Sequence, residues 1–547
     1  MIARFFFPIV LVTLLLFDLD ARATDYYVHP IQGSDSNDGL SARTAFRSLK
    51  QASQIRFLPG DRLLLAAGQR YVGKLDLVGL QGQPDMAITV ETIAWDGPIT
   101  SQPYAHIDAK GSPHALLIQD CKHIQVRGLA ITADGYTHKT TDSGMRCGIL
   151  VTTSPHGRTE GITLSDLKIH DVFYENPGFE RGPDEVRTAN GTQSYGWGIR
   201  LISNGEGATM ENIRIEGCEL QNIEHTGIKL TGNKQNISRV WIHDNRVTRT
   251  GGPGIQMSNV KFVHVSSNQV MYSGSDDDQR KWGRGSGLWT WTASNILIEK
   301  NSFMYANGPG DSAGAHIDYN CDNVVLQYNF SAYNAGGFCE ILGNTYNCAY
   351  RYNISVNDGH RVKGKDGAFQ EGKILWLSGY QGNNKARKGP VNTYFYNNTI
   401  YVGSDFETKF AIDGRSDGVL IANNIFYLEG DSRSVLGDQN KPDNPAEEGL
   451  DRIFFSHNLY LKPDTWPSDL PIRDDRPLFG DPGFVARGRL NIEDYLPTNH
   501  HLIKHKGIEI PCLTGDAFGL MGGLSVGQDI RGKTVPNRPS IGALEAD

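Results

Sequence analysis

The sequence predicts an all-β chain wound as a right-handed parallel β-helix, and three observations carry that prediction. A strand-like unit, apolar alternation leading to Asn and then an apolar residue, recurs as VWIHDNRV, VHVSSNQV, ILIEKNSF, VVLQYNFS, CAYRYNIS, TYFYNNTI, VLIANNIF and IFFSHNLY. Its sixth residue is Asn each time: Asn245, Asn268, Asn301, Asn329, Asn353, Asn398, Asn424 and Asn458. The shortest repeat, from Val240 to Val263, is 23 residues, which leaves room for three short strands and their turns but for no amphipathic crossover helix. A second landmark, Gly198-Ile-Arg-Leu, Gly227-Ile-Lys-Leu, Gly254-Ile-Gln-Met and Gly287-Leu-Trp-Thr, reads as a turn glycine, then inward, outward and inward residues at the strand period of two. Identical residues stacked in parallel register form a ladder in which each side-chain amide bonds the next.

Residues 1–23 read as a secretory signal: Arg4, an apolar run from Phe5 to Phe17, then Ala21-Arg22-Ala23 as a small-residue cleavage site. The run is too short to span a bilayer, so a secreted or periplasmic protein cleaved near Ala23 is expected, with no membrane span. Residues 24–120, opening with DYYVHPIQGSDSNDGLSARTAFRSLKQA, form a strand, a polar turn and a short capping helix before the first coils. Residues 121–460 are the β-helix core with its cleft. Three early units, IQVRGLAI, ITLSDLKI and IRIEGCEL, place Leu129, Leu167 and Cys218 where the later ones have Asn. Residues 461–547 are Pro-rich and irregular and are expected to cover the last coil.

With 547 residues, 39% hydrophobic and 21% charged, the chain has material for a large core. A net charge of -8 argues against nucleic acid as a partner. Seven cysteines are too irregularly spaced for a zinc site and cannot all pair internally; core thiols are expected, with Cys321–Cys348 the one candidate disulfide. Asn329, Asn353 and Asn397 match the glycosylation pattern, but two belong to the ladder and the third adjoins it.

The outward column Arg200, Lys229, Gln256 and Trp289, carried on one coil at a time, leads to Asp318 in AHIDY and Glu340 in GFCEI. Both acids lie among apolar neighbours, where a merely solvated acid has no reason to be. Stacked coils are about 4.8 Å apart, so acids one coil apart are expected roughly 5 Å from each other, the separation of a retaining glycosidase pair. Like charges that close drive one pKa up, giving one acid and one base. The same pair could instead hold Ca²⁺.

The stretch IDYNCDNVVLQYN…GGFCEILGN resembles the catalytic region of β-helix glycoside hydrolases, in particular the family 120 β-xylosidases. The resemblance implies Asp318 as nucleophile and Glu340 as acid/base, with no cofactor or metal required. YYVHPIQGSDSNDG and SIGALE resemble secreted β-helix carbohydrate enzymes generally. Where the family's VNHG is expected after the Glu, this chain has ILGN.

Insertions at 132–147, 170–197, 271–286 and 356–390 are expected to wall the cleft, bringing Tyr195, Trp197, Trp282, His360, Arg361, Lys363 and Lys365 as candidates. Trp289 and Trp376 flank the acids and suit sugar stacking, His316 stands beside Asp318, and Asp413 in FAIDG is a candidate distal sugar contact. Arg200 and Lys229 could bind a uronate or sulfate. SDDDQRKWGRG, 275–285, reads as a solvated loop, with calcium the alternative. The expected function is a retaining glycoside hydrolase of a poly- or oligosaccharide. Its rivals are a Ca²⁺-dependent polysaccharide lyase, with Arg361, Lys363 or Lys365 as base and the two acids as metal ligands, and a non-catalytic carbohydrate-binding scaffold. Oligomeric state is not legible.

Overall fold

The structure, a computed structural model, describes residues 23–95, 103–136, 144–188, 191, 194–275, 277–382, 384–437, 439, 452–470 and 473–547. The expected signal segment, 1–22, lies outside them. Successive coils each give one strand to each of three parallel sheets, of 14, 12 and 14 strands. One coil shows the plan: Lys122–Arg127, Leu129–Asp134 and Met145–Thr152 pair in parallel with Arg158–Ser165, Lys168–Phe173 and Tyr195–Ile202 of the next. This is the predicted β-helix. Inward aliphatics such as Ile199, Ile228, Ile255 and Leu288 stack in register and are fully buried. No described helix is long and apolar enough to cross a membrane.

The Asn unit bridges the two 14-stranded sheets through a one-residue bend. The residue before every ladder Asn is left-handed: Asp244, Ser267, Lys300, Tyr328, Tyr352, Asn397, Asn423 and His457, with φ between 50° and 57°. A non-glycine residue there costs about 1–2 kcal/mol, which the ladder offsets. Each Asn donates from Nδ2 and from its backbone N–H to Oδ1 of the Asn one coil on, as Asn301 does to Asn329 at 3.0 Å for both bonds. The second Nδ2 hydrogen goes to a backbone carbonyl. The ladder runs unbroken from Asn245 to Asn458 and ends on Asp474 Oδ2, 2.8 Å from Asn458 Nδ2.

The landmark glycines are set by space. A Cβ on Gly254 would lie 2.2 Å from Val270 Cγ1, and one on Gly198 2.4 Å from the Gly227 carbonyl oxygen.

At the first coil, Phe46, the short helix Leu49–Ala52 and Phe57 close the core. At the last, Trp466 packs on Phe410, Phe426, Phe455 and Tyr460. The C-terminal segment does more than cover that coil. After Leu478–Phe479 pairs with Leu459–Tyr460, the chain runs back along the outside of earlier coils. Ile503, Ile541 and Leu544 pack with Phe330, Ile354 and Tyr401, and Leu513 and Leu520 with Val325, Tyr394 and Tyr396. All seven cysteines are free thiols, with Cys512 exposed and the others buried, so the Cys321–Cys348 pairing is not formed. Asn329, Asn353 and Asn397 are buried and bonded through their amides.

Candidate active site

The 12-stranded sheet carries the site. In Ala315–Ile317, Ala315 and Ile317 face the core and His316 faces out; in Gly337–Ile341, Cys339 and Ile341 face in and Glu340 out. Ile317 pairs with Ile341, so the lateral neighbour of Glu340 is His316, and Asp318 stands two residues further along its own strand. The side-by-side placement expected from the spacing is thereby corrected. Two residues of strand rise and one coil step put the two acids diagonally, roughly 8 Å apart at Cα. The outward column therefore runs Arg200, Lys229, Gln256, Trp289, His316, Glu340, Trp376.

His316 sits between the acids, with Nε2 4.0 Å from Asp318 Oδ2 and Nδ1 3.9 Å from Glu340 Oε2. Its Nδ1 is also 3.0 Å from Ser286 Oγ. Burial, helped by Arg284, pushes its pKa down to about 4, so the ring is neutral at pH 7. Trp289 Nε1 donates to Asp318 Oδ2 at 2.8 Å and the Tyr319 N–H to Oδ1 at 2.6 Å, which fixes that carboxyl. Burial nevertheless raises Asp318 to about 7, and the charge of Asp311 adds to the shift. Burial also drives Glu340 well above the usual carboxyl range; Lys373 opposes this, while Asp311 and Asp318 reinforce it.

Asp311 is a third carboxyl that the spacing argument missed. Arg284 grips it with Nε to Oδ2 at 2.8 Å and Nη2 to Oδ1 at 3.0 Å. Burial works against its charge, but the guanidinium outweighs burial and holds the pKa below the ordinary value. A signal existed: WGRGSG and GPGDSAG are glycine-rich runs one coil apart, each just ahead of a site strand. The loop that supplies Arg284 is not solvated as expected: Arg280, Lys281, Trp282 and Arg284 are all buried. Asp278 there pairs with Arg280, and Asp277 with Lys281.

A cleft of about 560 Å³ joins Asp311, Asp318, Glu340 and His316 to Arg200, Lys229, Gln256, Trp289 and Trp376, with Trp291, Tyr319 and Tyr380 along its mouth. Two expected binding residues lie elsewhere. Asp413 is fully buried, ion-paired to Arg387 at 2.7 Å, and accepts the Gly379 N–H at 2.9 Å, so it braces a turn. His360 packs against Phe406 and opens on a separate hollow with Arg361 and Lys365. Lys363 lines another hollow, beside Glu371 and Arg433, and Arg361 spends its guanidinium on the carbonyls of Gln370 and Gly308. Of the bases proposed for a lyase, Lys363 and Lys365 thus open on other hollows, while Arg361, whose charge acts on Asp311 and Glu340, has its guanidinium engaged by carbonyls. Tyr195, Trp197 and Trp282 are buried against His225 beneath the cleft. Among the described residues, no group of three or more His, Cys, Asp or Glu is placed to hold a metal ion.

No protein-family model matches the chain. Among curated proteins, a lacto-N-biosidase of Bifidobacterium longum subsp. longum is 24% identical over an alignment of 621 positions covering 96% of this chain and 36% of its own length. The chain thus spans about a third of that relative. Among solved structures, the GH136 lacto-N-biosidase of Eubacterium ramulus superposes with a TM-score of 0.54 at 21% identity, over 75% of this chain and 68% of that one. The likeness confirms the β-helix. XylC in complex with xylose is 11% identical with a TM-score of 0.49, over 95% of this chain and 98% of that one, too distant to bear on the chemistry.

Proposed function

We propose that the chain is a glycoside hydrolase of oligosaccharides, cleaving with Asp318 and Glu340. The observation that carries this reading is a cleft whose carboxyls stand in opposed settings, Asp311 held below its ordinary pKa by Arg284 while burial raises Asp318 and Glu340. Proton-bearing acid and carboxylate thus face one substrate, as acid/base cleavage of a glycosidic bond requires. Similarity to lacto-N-biosidases over nearly the whole chain supports it.

The setting of each acid, together with the resemblance of the motif, assigns the roles. Glu340, which burial holds well above the ordinary carboxyl range, keeps its proton and donates it to the leaving oxygen. Asp318, at about 7 and aligned by Trp289 and Tyr319, attacks the anomeric carbon; Glu340, now a base, then activates the water that releases the sugar. Net retention is the expected outcome, read as the anomer first formed by proton NMR. The diagonal register no longer gives the lateral 5 Å separation, so the assignment rests on the two donors that align Asp318 and on the resemblance of the motif.

Asp311 supports a second arrangement, because it lies in the same cleft and its charge acts on both other acids. In it substrate loosens the ion pair by which Arg284 keeps Asp311 ionised, Asp311 takes up a proton from solvent and passes it to the leaving oxygen, and Glu340 only shapes the field.

Purified protein is to be incubated with neutral and acidic oligosaccharides, following reducing ends and unsaturated-uronate absorbance together. Reducing ends without absorbance are expected, lost by on the order of 10²- to 10⁴-fold in Asp318→Asn. A comparable loss in Glu340→Gln supports the first arrangement, and in Asp311→Asn the second. Turnover is expected to survive EDTA; absorbance rising with each cut, abolished by EDTA, would make the protein a lyase. Export with cleavage near Ala23 completes the proposal and is checked by N-terminal sequencing of exported protein.

A further inference from the structure

The end of the cleft remote from the acids is built of cations. Arg200 and Lys229 are lateral neighbours, 6% and 5% exposed. Both head groups lie over the buried ring of Trp197, 4.4 and 4.3 Å from its centroid. Nε and Nη1 of Arg200 have no hydrogen-bond partner, and no carboxylate is among the charges that act on either cation. Burying a charge without a counter-ion is costly, and the ring face compensates only part of that cost. Thr231 Oγ1 and Gln256 Oε1 beside them are likewise buried and unpartnered, and all four residues line the cleft that holds the acids.

We propose that this end of the cleft is a subsite for an anionic substituent, a carboxylate or a sulfate ester, on a sugar of the substrate. The proposal rests on the glycoside-hydrolase reading of the acids. Arg200 offers a planar fork to two oxygens of such a group and Lys229 a point charge, while Gln256 Oε1 accepts a hydroxyl of the same sugar. Burial holds both side chains below their ordinary pKa values, and for Lys229 the charge of Arg200 adds to the shift; an arriving anion reverses that penalty. Three coils separate Lys229 from His316, roughly 14 Å, so the charged sugar lies away from the bond that is cut and acts on recognition.

The test compares matched neutral, uronate-bearing and sulfated oligosaccharides on wild type, Arg200→Met and Lys229→Met. The ratio of kcat/KM on anionic to neutral substrate is expected to fall roughly 10- to 100-fold in each variant, mainly through KM. The uronate and sulfate arms identify which anion fits. A ratio unmoved by either substitution overturns the subsite and leaves the hydrolase standing. If no oligosaccharide is cut, the hydrolase reading fails, and thermal melts with sodium sulfate against sodium chloride at equal ionic strength decide the subsite alone. A sulfate-specific rise in Tm present in wild type and absent from both variants supports it; an equal rise in all three overturns it. Should either Met variant fold poorly, Lys229→Gln provides the same comparison.

Discussion

Asp318 shows how burial and orientation act on one side chain at once. Two donors align its oxygens while the apolar surroundings keep its proton on. If it is the attacking group, kcat/KM rises as pH climbs through about 7, where it ionises, and falls only where Glu340 loses its proton. Asp311→Asn removes a charge that raises the Asp318 pKa, so the acidic limb moves to lower pH if Asp311 is not itself the proton donor; a pH–rate series checks this. Stability carries the same signature with a definite sign. The folded state holds the Asp318 proton that the unfolded state releases, so stability declines from about pH 4 to about pH 7 and that loss is complete above. Asp318→Asn escapes it, and its Tm advantage over wild type is expected to be small at pH 4 and largest at pH 8, read by thermal melts in matched buffers. In the sequence, Asp318 and Glu340 stood out as acids among aliphatics. The two-residue offset did not, because residues 318–337 leave the register of the next strand free to slide. Arg284 and Asp311 were hidden because each arrives from a loop, where no periodicity marks direction.

At the scale of the element, the Asn column was legible because a ladder needs the same residue at each step. The left-handed bend was not, because Asp, Ser, Lys, Tyr, Asn and His all fill it. Asn301→Ala removes the acceptor for both the N–H and Nδ2 of Asn268 and the donor to the Val265 carbonyl. The expected loss is on the order of 1–3 kcal/mol per orphaned group, measured by urea denaturation. The glycines before the site strands were read as turn residues; the structure assigns them instead to close approach of the next coil. Such packing depends on partners 20 or more residues away and leaves no local mark. The outward column illustrates the reverse: its alternation was clear in the sequence, and Arg200, Lys229, Gln256, Trp289 and Trp376 all reach the cleft.

At the scale of the whole molecule, the β-helix followed from the repeat, while the return of the C-terminal segment had no sequence signal. Trp466→Ala opens the core at its last coil and is expected to cost about 3–5 kcal/mol, checked by the same urea titration. The thiols report on the stack as a unit: one fast-reacting group, Cys512, is expected in the native protein, and all seven once it is denatured.

The in-register outward column has a further consequence. Each coil advances the cleft by one strand spacing, about 4.8 Å, so the stack is a ruler whose graduations are coils. The gap between the cationic end and the acids is a whole number of graduations. Inserting or deleting one coil between Gln256 and Trp289 would shift the preferred length of the substrate by that fixed increment and leave the chemistry at either end untouched.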